Sequence, residues 1–229
     1  MTAADVRSGD IPRGWRPAPV PPEPPLPRPL SPSRPDGVRL GTVPPARSPL
    51  RRGAGPNASA KGMLVHALLQ YLPALPAEAR HAAALSYAAS VLPEDAAAVA
   101  LQVLAVLEAP SLAPLFGPAS RAEQALTGVV AGQVITGRID RLAVLPDEVL
   151  VADYKTSRAP PASAAAAPVL YLRQLAAYRA VLRLLYPDRP VRCALIWTEG
   201  PVAMAVPDDV LDRHAPGAPY PERPSGRPA

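Results

Sequence analysis

Cysteine is nearly absent: Cys193 is the one thiol in 229 residues. A disulfide framework, a Cys-based zinc site and a four-Cys iron–sulfur cluster are therefore excluded. Aromatic residues make up 4% of the chain, so a core has to be built from Ala, Leu and Val, and the hydrophobic share of 48% allows it. No apolar run approaches the roughly 18 residues of a spanning helix, and the N-terminus lacks the apolar stretch of a signal peptide. These two absences lead to the expectation of a soluble, intracellular chain with no membrane partner. There is no Gly-x-x-x-x-Gly-Lys-[Ser/Thr] phosphate loop, and Gly53-Ala54-Gly55 followed by Lys61 does not fit one. No nucleotide site, and so no ATPase or helicase activity, is expected of these residues. Lysine is also scarce, since 24 basic residues include only Lys61 and Lys155.

Proline is in excess, with 34 residues, of which fourteen fall in residues 1–50. Pro removes backbone donors and fixes φ, so this stretch cannot be a packed core. Residues 1–58 read as a Pro/Arg-rich disordered linker of extended polyproline character, and 214–229 as a second Pro-rich tail. A beginning of this kind is expected of a chain that is the tail end of something larger. The net charge of +5 belongs to the linker: residues 1–60 hold nine Arg and four acids, and the remainder is balanced. Net charge alone thus gives no argument that the folded part binds nucleic acid.

The folded part begins with helical periodicity. Leu64, Val65, Leu68, Leu69 and Leu72 recur at 3.6 spacing, with His66 on the flank, and Pro73 and Pro76 end the run. Two more helices are predicted at about 77–92 and 94–109, with a helical turn near Ser111–Phe116. The period then changes. Ala122–Val130, Gln133–Val144 and Val149–Ala152 read as strands, the last two joined at Pro146-Asp147 into a hairpin. A helix over Leu170–Tyr186 and strands over Val191–Thr198 and Val202–Val206 follow. Helices, three strands, a helix and one or two strands make an α+β protein around a mixed sheet.

Asp153 and Lys155 stand two apart at the end of a strand and so project from one face. Across the hairpin Asp140 can approach Asp153 on that face. Carboxylates that close repel unless a cation intervenes. Hard oxygen ligands with open positions suit Mg²⁺ or Mn²⁺. A surface hairpin with alternating charge and one salt bridge would use the same residues. A compact ammonium in so Arg-rich a chain favours a role for Lys155, because Arg offers neither its shape nor its exchangeable proton. Gln174 and Tyr178, four apart on a helix, share a face, and Tyr171 lies one turn before them.

Asp140, Asp153-Tyr154-Lys155 and Gln174-Leu175-Ala176-Ala177-Tyr178, in that order, resemble the PD-(D/E)XK nuclease superfamily in its RecB-like branch. That branch adds an upstream His and a Glu on the preceding strand, which fall here on His66 and Glu123. Arg121-Ala122-Glu123, Gly137 to Leu142, Asp153 to Thr156 and Tyr171 to Arg179 resemble AddA-type nuclease domains, over about residues 45–213. The lack of a Cys cluster separates the chain from AddB-type relatives, which carry an iron–sulfur staple. The lack of a motor ahead of the nuclease is a departure from AddA.

The resemblance implies a restriction-endonuclease-like α+β core, with a central mixed sheet flanked by helices, over 59–213. Residues 59–117 would be its helical part and 118–213 its sheet core. It implies an Mg²⁺- or Mn²⁺-dependent, exonuclease-type hydrolase of DNA. Asp140, Asp153, Lys155 and Glu123 would be catalytic. His66, Asp140, Asp153 and the backbone carbonyl of Tyr154 would hold metal. Gln174, Tyr178, Tyr171, Arg158 and Arg173 would support the active-site edge or contact DNA. It further implies a DNA strand fed from a duplex end, an AddB-type subunit, an AddA motor encoded elsewhere, and a role in recombinational double-strand-break repair in the bacterial cytoplasm. A second reading is a catalytically silent DNA-binding or docking module, or a truncated fragment without independent activity.

Overall fold

A computed structural model describes residues 58–156 and 160–218. The expected linker lies outside them but for Ala58, as do Arg158 and tail residues 219–229. Three helices come first: α1 (Ala58–Tyr71), α2 (Ala77–Val91) and α3 (Ala96–Glu108). Pro73 ends α1 in a single 3-10 turn, and Pro76 starts α2, whose first turn carries Glu78 against the helix dipole. α3 buries Val99, Val103, Val106 and Leu107 among its seven buried residues. A 3-10 stretch, Pro110–Phe116, leads to the sheet.

The sheet has five strands in chain order: β1 (Ser120–Val130), β2 (Gln133–Val144), β3 (Val149–Lys155), β4 (Val191–Trp197) and β5 (Val202–Val206). β1 and β2 form a hairpin over Ala131-Gly132, both at positive φ (49° and 73°), as a two-residue turn between twisted strands requires. β2–β3 and β4–β5 are also antiparallel, while β3–β4 is parallel. The parallel pair needs a crossover, and α4 (Val169–Leu185) makes it. α5 (Asp208–Asp212) closes the fold. It is too short to leave a periodic signal, and the sequence reading has no element there.

The sheet separates two apolar layers. On one face α4 and α5 bury Leu172, Leu175, Tyr178, Leu182 and Leu211 against Ile135, Ile139, Val151, Leu195 and Trp197. On the other, α1–α3 bury Leu64, Leu68, Leu69, Val99 and Val103 against Ala143, Ala152, Tyr154 and Ile196. This is the mixed sheet flanked by helices expected above, and Trp197 belongs to its core.

Strand alternation breaks once. Ile139 and Leu142 of β2 both face α4 although they stand three apart. Arg141 faces α1 instead, where its guanidinium meets the carbonyl of Leu69. β1 shifts at the same level. The ladder joins Ala122 to Arg141 and Gln124 to Ile139, with no bridge between Glu123 and Asp140, and Glu123 takes φ +51°. The period-2 rule therefore slips by one residue in both strands, at the two carboxylates.

Candidate metal centre

Four elements deliver the polar cluster. α1 brings His66, β1 brings Glu123, β2 brings Asp140, and the end of β3 brings Asp153 and Lys155. One donor atom each from His66, Glu123 and Asp140 lies within 4.8 Å of the others. His66 Nδ1 is 3.7 Å from Asp140 Oδ1, and Asp140 Oδ2 accepts a 2.7 Å hydrogen bond from the Tyr154 backbone N–H. Carried one step beyond Arg141–Ala152, the β2–β3 register sets Asp140 opposite Asp153.

Asp153 is 3% exposed. Its Oδ2 forms an ion pair with the ammonium of Lys155. The same ammonium sits 3.7 Å from the centre of the Tyr171 ring, so Lys155 is held between a carboxylate and an aromatic face. Gln174 donates to the Tyr178 hydroxyl at 3.3 Å, and that hydroxyl donates to the Arg138 carbonyl at 2.9 Å. The Tyr178 ring lies over Gly137, where an added Cβ would come within 2.6 Å of it.

Burial and crowding set the protonation states. Burial lowers the His66 pKa below its ordinary value, partly offset by the charges of Asp153 and Glu123, so a neutral ring nitrogen is available for ligation near neutral pH. A backbone hydrogen bond to Tyr154 raises it as well, less than those charges do. Burial, then the Asp153 charge, pushes Asp140 well above the ordinary carboxyl value, against the opposing pull of the Tyr154 N–H and Lys155.

Residues 41–209 match the family profile described as the PD-(D/E)XK nuclease superfamily. The chain belongs to that superfamily. A solved structure titled "Crystal structure of SSO0001" is 17% identical, over 65% of this chain and 70% of that one, with a TM-score of 0.30. No curated protein matches the chain.

PD-(D/E)XK nucleases use divalent metal ions, and the donor set here fits one. An imidazole and two carboxylates converge, with a third carboxylate, Asp153, buried on the neighbouring strand. Nitrogen and hard oxygen donors from three elements leave room for waters, as a Mg²⁺- or Mn²⁺-type ion needs.

The sequence expectation set Asp153 among both the catalytic residues and the ligands, and Glu123 with the catalytic residues, as a ligand through water or a positioner of a second metal. The structure places Glu123 with His66 and Asp140, and Asp153 against Lys155. Tyr178 is 1% exposed, with its hydroxyl engaged by β2, so it braces the strand from inside the core rather than facing a strand of DNA. Gln174 is buried beside it. Arg173 lines a cleft with Gln133 and His214 at the β1–β2 turn. Gln133 precedes Asp140 by seven residues of strand, which is roughly 20 Å away. Arg158 falls outside the described residues.

Two residues of this neighbourhood escaped the sequence reading. Arg138, exposed, has its guanidinium 3.6 Å from Glu123 Oε2. Arg141, buried, lies directly behind Asp140. The three-residue step from Ile139 to Leu142 was the available signal for Arg141, because it turns residue 141 away from the α4 face.

Proposed function

We propose that the chain is an Mg²⁺-dependent deoxyribonuclease domain of exonuclease type, working within an AddA-type helicase–nuclease in bacterial double-strand-break repair. The observation that carries the nuclease reading is the convergence of His66, Glu123 and Asp140 beside the Asp153–Lys155 pair. The AddA setting rests on the sequence resemblance around these residues and on the lack of cysteines for an iron–sulfur staple.

His66, Glu123 and Asp140, with Asp153 beside them, would hold a divalent ion, which would supply a Lewis acid for a phosphate oxygen and lower the pKa of a water. Lys155 donates to the attacking water and offsets the negative charge that builds on the phosphorus oxygens. Asp153 and the Tyr171 ring keep the ammonium of Lys155 in place. The Tyr154 N–H fixes the Asp140 carboxylate, leaving Oδ1 toward His66. The Gln174–Tyr178 pair steadies the strand that carries Asp140. In the cytoplasm of the cell, a motor encoded outside these residues would deliver the DNA strand, with an AddB-type subunit as partner.

Labelled linear single- and double-stranded DNA, incubated with the chain in Mg²⁺, in EDTA, and with Asp153→Ala, tests this reading. Cleavage that requires both Mg²⁺ and Asp153 supports it. A chain that neither cuts DNA nor binds metal would be a docking or DNA-binding module instead.

A further inference from the structure

Arg141 follows Asp140 but faces the opposite side of the sheet, 4% exposed. No carboxylate among the described residues pairs with its guanidinium. Instead its Nη2 donates to the Leu69 carbonyl in the last turn of α1. Its Nε donates to the Tyr154 hydroxyl on β3 at 3.4 Å, and its Nη1 to the Ser120 hydroxyl on β1 at 3.4 Å. The Phe116 ring lies against it, 5.0 Å from centroid to guanidinium carbon. One side chain on β2 is thereby tied to α1, β1 and β3.

Those are the four elements that bring His66, Glu123, Asp140 and Asp153 together. A buried guanidinium without a counter-charge is poor value as a purely structural part, because an apolar residue of similar volume packs there without the desolvation cost. What the guanidinium offers is a rigid planar fork that fixes directions as well as distances. A metal centre assembled from separate elements needs that kind of fixing. The slip at Glu123 and Asp140 also needs a fastening, since no ladder bridge joins the two residues.

We propose that Arg141 is a positioning residue of the metal centre: its fork sets the distance between α1 and β2, and so the reach of His66 to Asp140. This rests on reading His66, Glu123 and Asp140 as metal ligands. The pairing of a guanidinium on one face of β2 with a ligand on the other makes the two consecutive residues Asp140 and Arg141 a single device.

The test is Mn²⁺ binding to the full chain, read from the electron paramagnetic resonance signal of free Mn²⁺, together with melting temperatures. The variants are Arg141→Lys, Arg141→Met, Tyr154→Phe and Arg179→Met. Arg179 is the control, a second buried arginine held by Asp208 and Asp212 near α5. Both Arg141 variants should bind Mn²⁺ about 10- to 100-fold more weakly, and Tyr154→Phe should weaken binding less. Arg179→Met should lower the melting temperature and leave Mn²⁺ affinity unchanged. Where the Arg141 variants cleave DNA, they should need more metal at an unchanged KM for DNA. Wild-type affinity in a folded Arg141→Lys overturns the proposal, as does an equal loss in Arg179→Met. If neither Arg141 variant folds, wild-type affinity in Tyr154→Phe overturns it. A wild-type chain that binds no Mn²⁺ removes the metal reading itself, which the comparison among variants keeps separate.

Discussion

Glu123 sits at φ +51°, a left-handed conformation that costs a residue bearing a Cβ about 1–2 kcal/mol. Glycine does not meet that cost. Glu123→Gly should therefore be more stable than Glu123→Ala by about 1 kcal/mol, although both remove the same carboxylate; urea unfolding of the two variants checks this, and equal midpoints would mean the backbone there is relaxed. Asp140 gives a second prediction. Its carboxyl takes up a proton more readily in the folded chain than in the unfolded one, where the ordinary value of 3.8 applies. Its share of stability is complete below that unfolded value and is lost as pH rises through the raised folded value. In EDTA, Asp140→Asn should thus melt higher than wild type at neutral pH, with the gap closing in acid, and a lower melting temperature at neutral pH would contradict the crowding. Asp153 and Lys155 were legible as a pair because strand spacing puts them on one face, and the hairpin brought Asp140 opposite Asp153. The backbone of Glu123 was not, since nothing in Arg121-Ala122-Glu123 marks a residue other than Gly for a left-handed turn of the chain.

At the scale of elements, the helix–strand contact between Tyr178 and Gly137 decides how β2 lies under α4. Gly137→Ala would drive a methyl group into the Tyr178 ring, so the strand or the helix has to move. Overpacking of this sort typically costs about 1–3 kcal/mol, and here the displaced strand carries Asp140 three residues on. Removing only the hydroxyl, with Tyr178→Phe, leaves the Arg138 carbonyl short of a donor and should cost about 1 kcal/mol. Denaturant midpoints and cleavage rates measured side by side should show Gly137→Ala losing more activity than Tyr178→Phe; the reverse order would mean that the hydroxyl has a further task. Helical spacing revealed that Gln174 and Tyr178 share a face. Their target is a backbone carbonyl forty residues earlier, and main-chain acceptors leave no mark on a sequence. The break in alternation along β2 was visible in the step from Ile139 to Leu142, yet it looks like ordinary strand irregularity until α1 is seen lying against Arg141.

For the whole molecule, the change from a 3.6-residue to a two-residue period near residue 120 was enough to read the architecture, and the structure has the helices and strands in that order. What periodicity could not give is the sheet order or which strand pair is parallel, because those depend on how the crossover helix returns. Cys193 reports on the assembled core. It is 3% exposed and burial pushes its thiol up to about 12. A thiol reagent should label it only through global unfolding, and added Mg²⁺ should slow the labelling if metal binds the folded state alone. Rapid labelling of the native chain would mean that the α4 side of the sheet opens on its own.

The parallel pairing of β3 with β4 has a consequence for how the protein is made. Every ligand candidate lies between residues 66 and 155, so all of them are synthesised before α4. Yet β3 hydrogen-bonds along its length to β4, residues 191–197, and its Asp153 face is closed by α4. A nascent chain ended at residue 168 would carry the complete donor set and still have no place to hold an ion. Such a fragment should bind no Mn²⁺, whereas one extended to residue 218 should, and binding by the shorter piece would mean that the first three strands can organise the centre unaided. Synthesis order would thus keep the donor cluster unassembled until β4 has emerged.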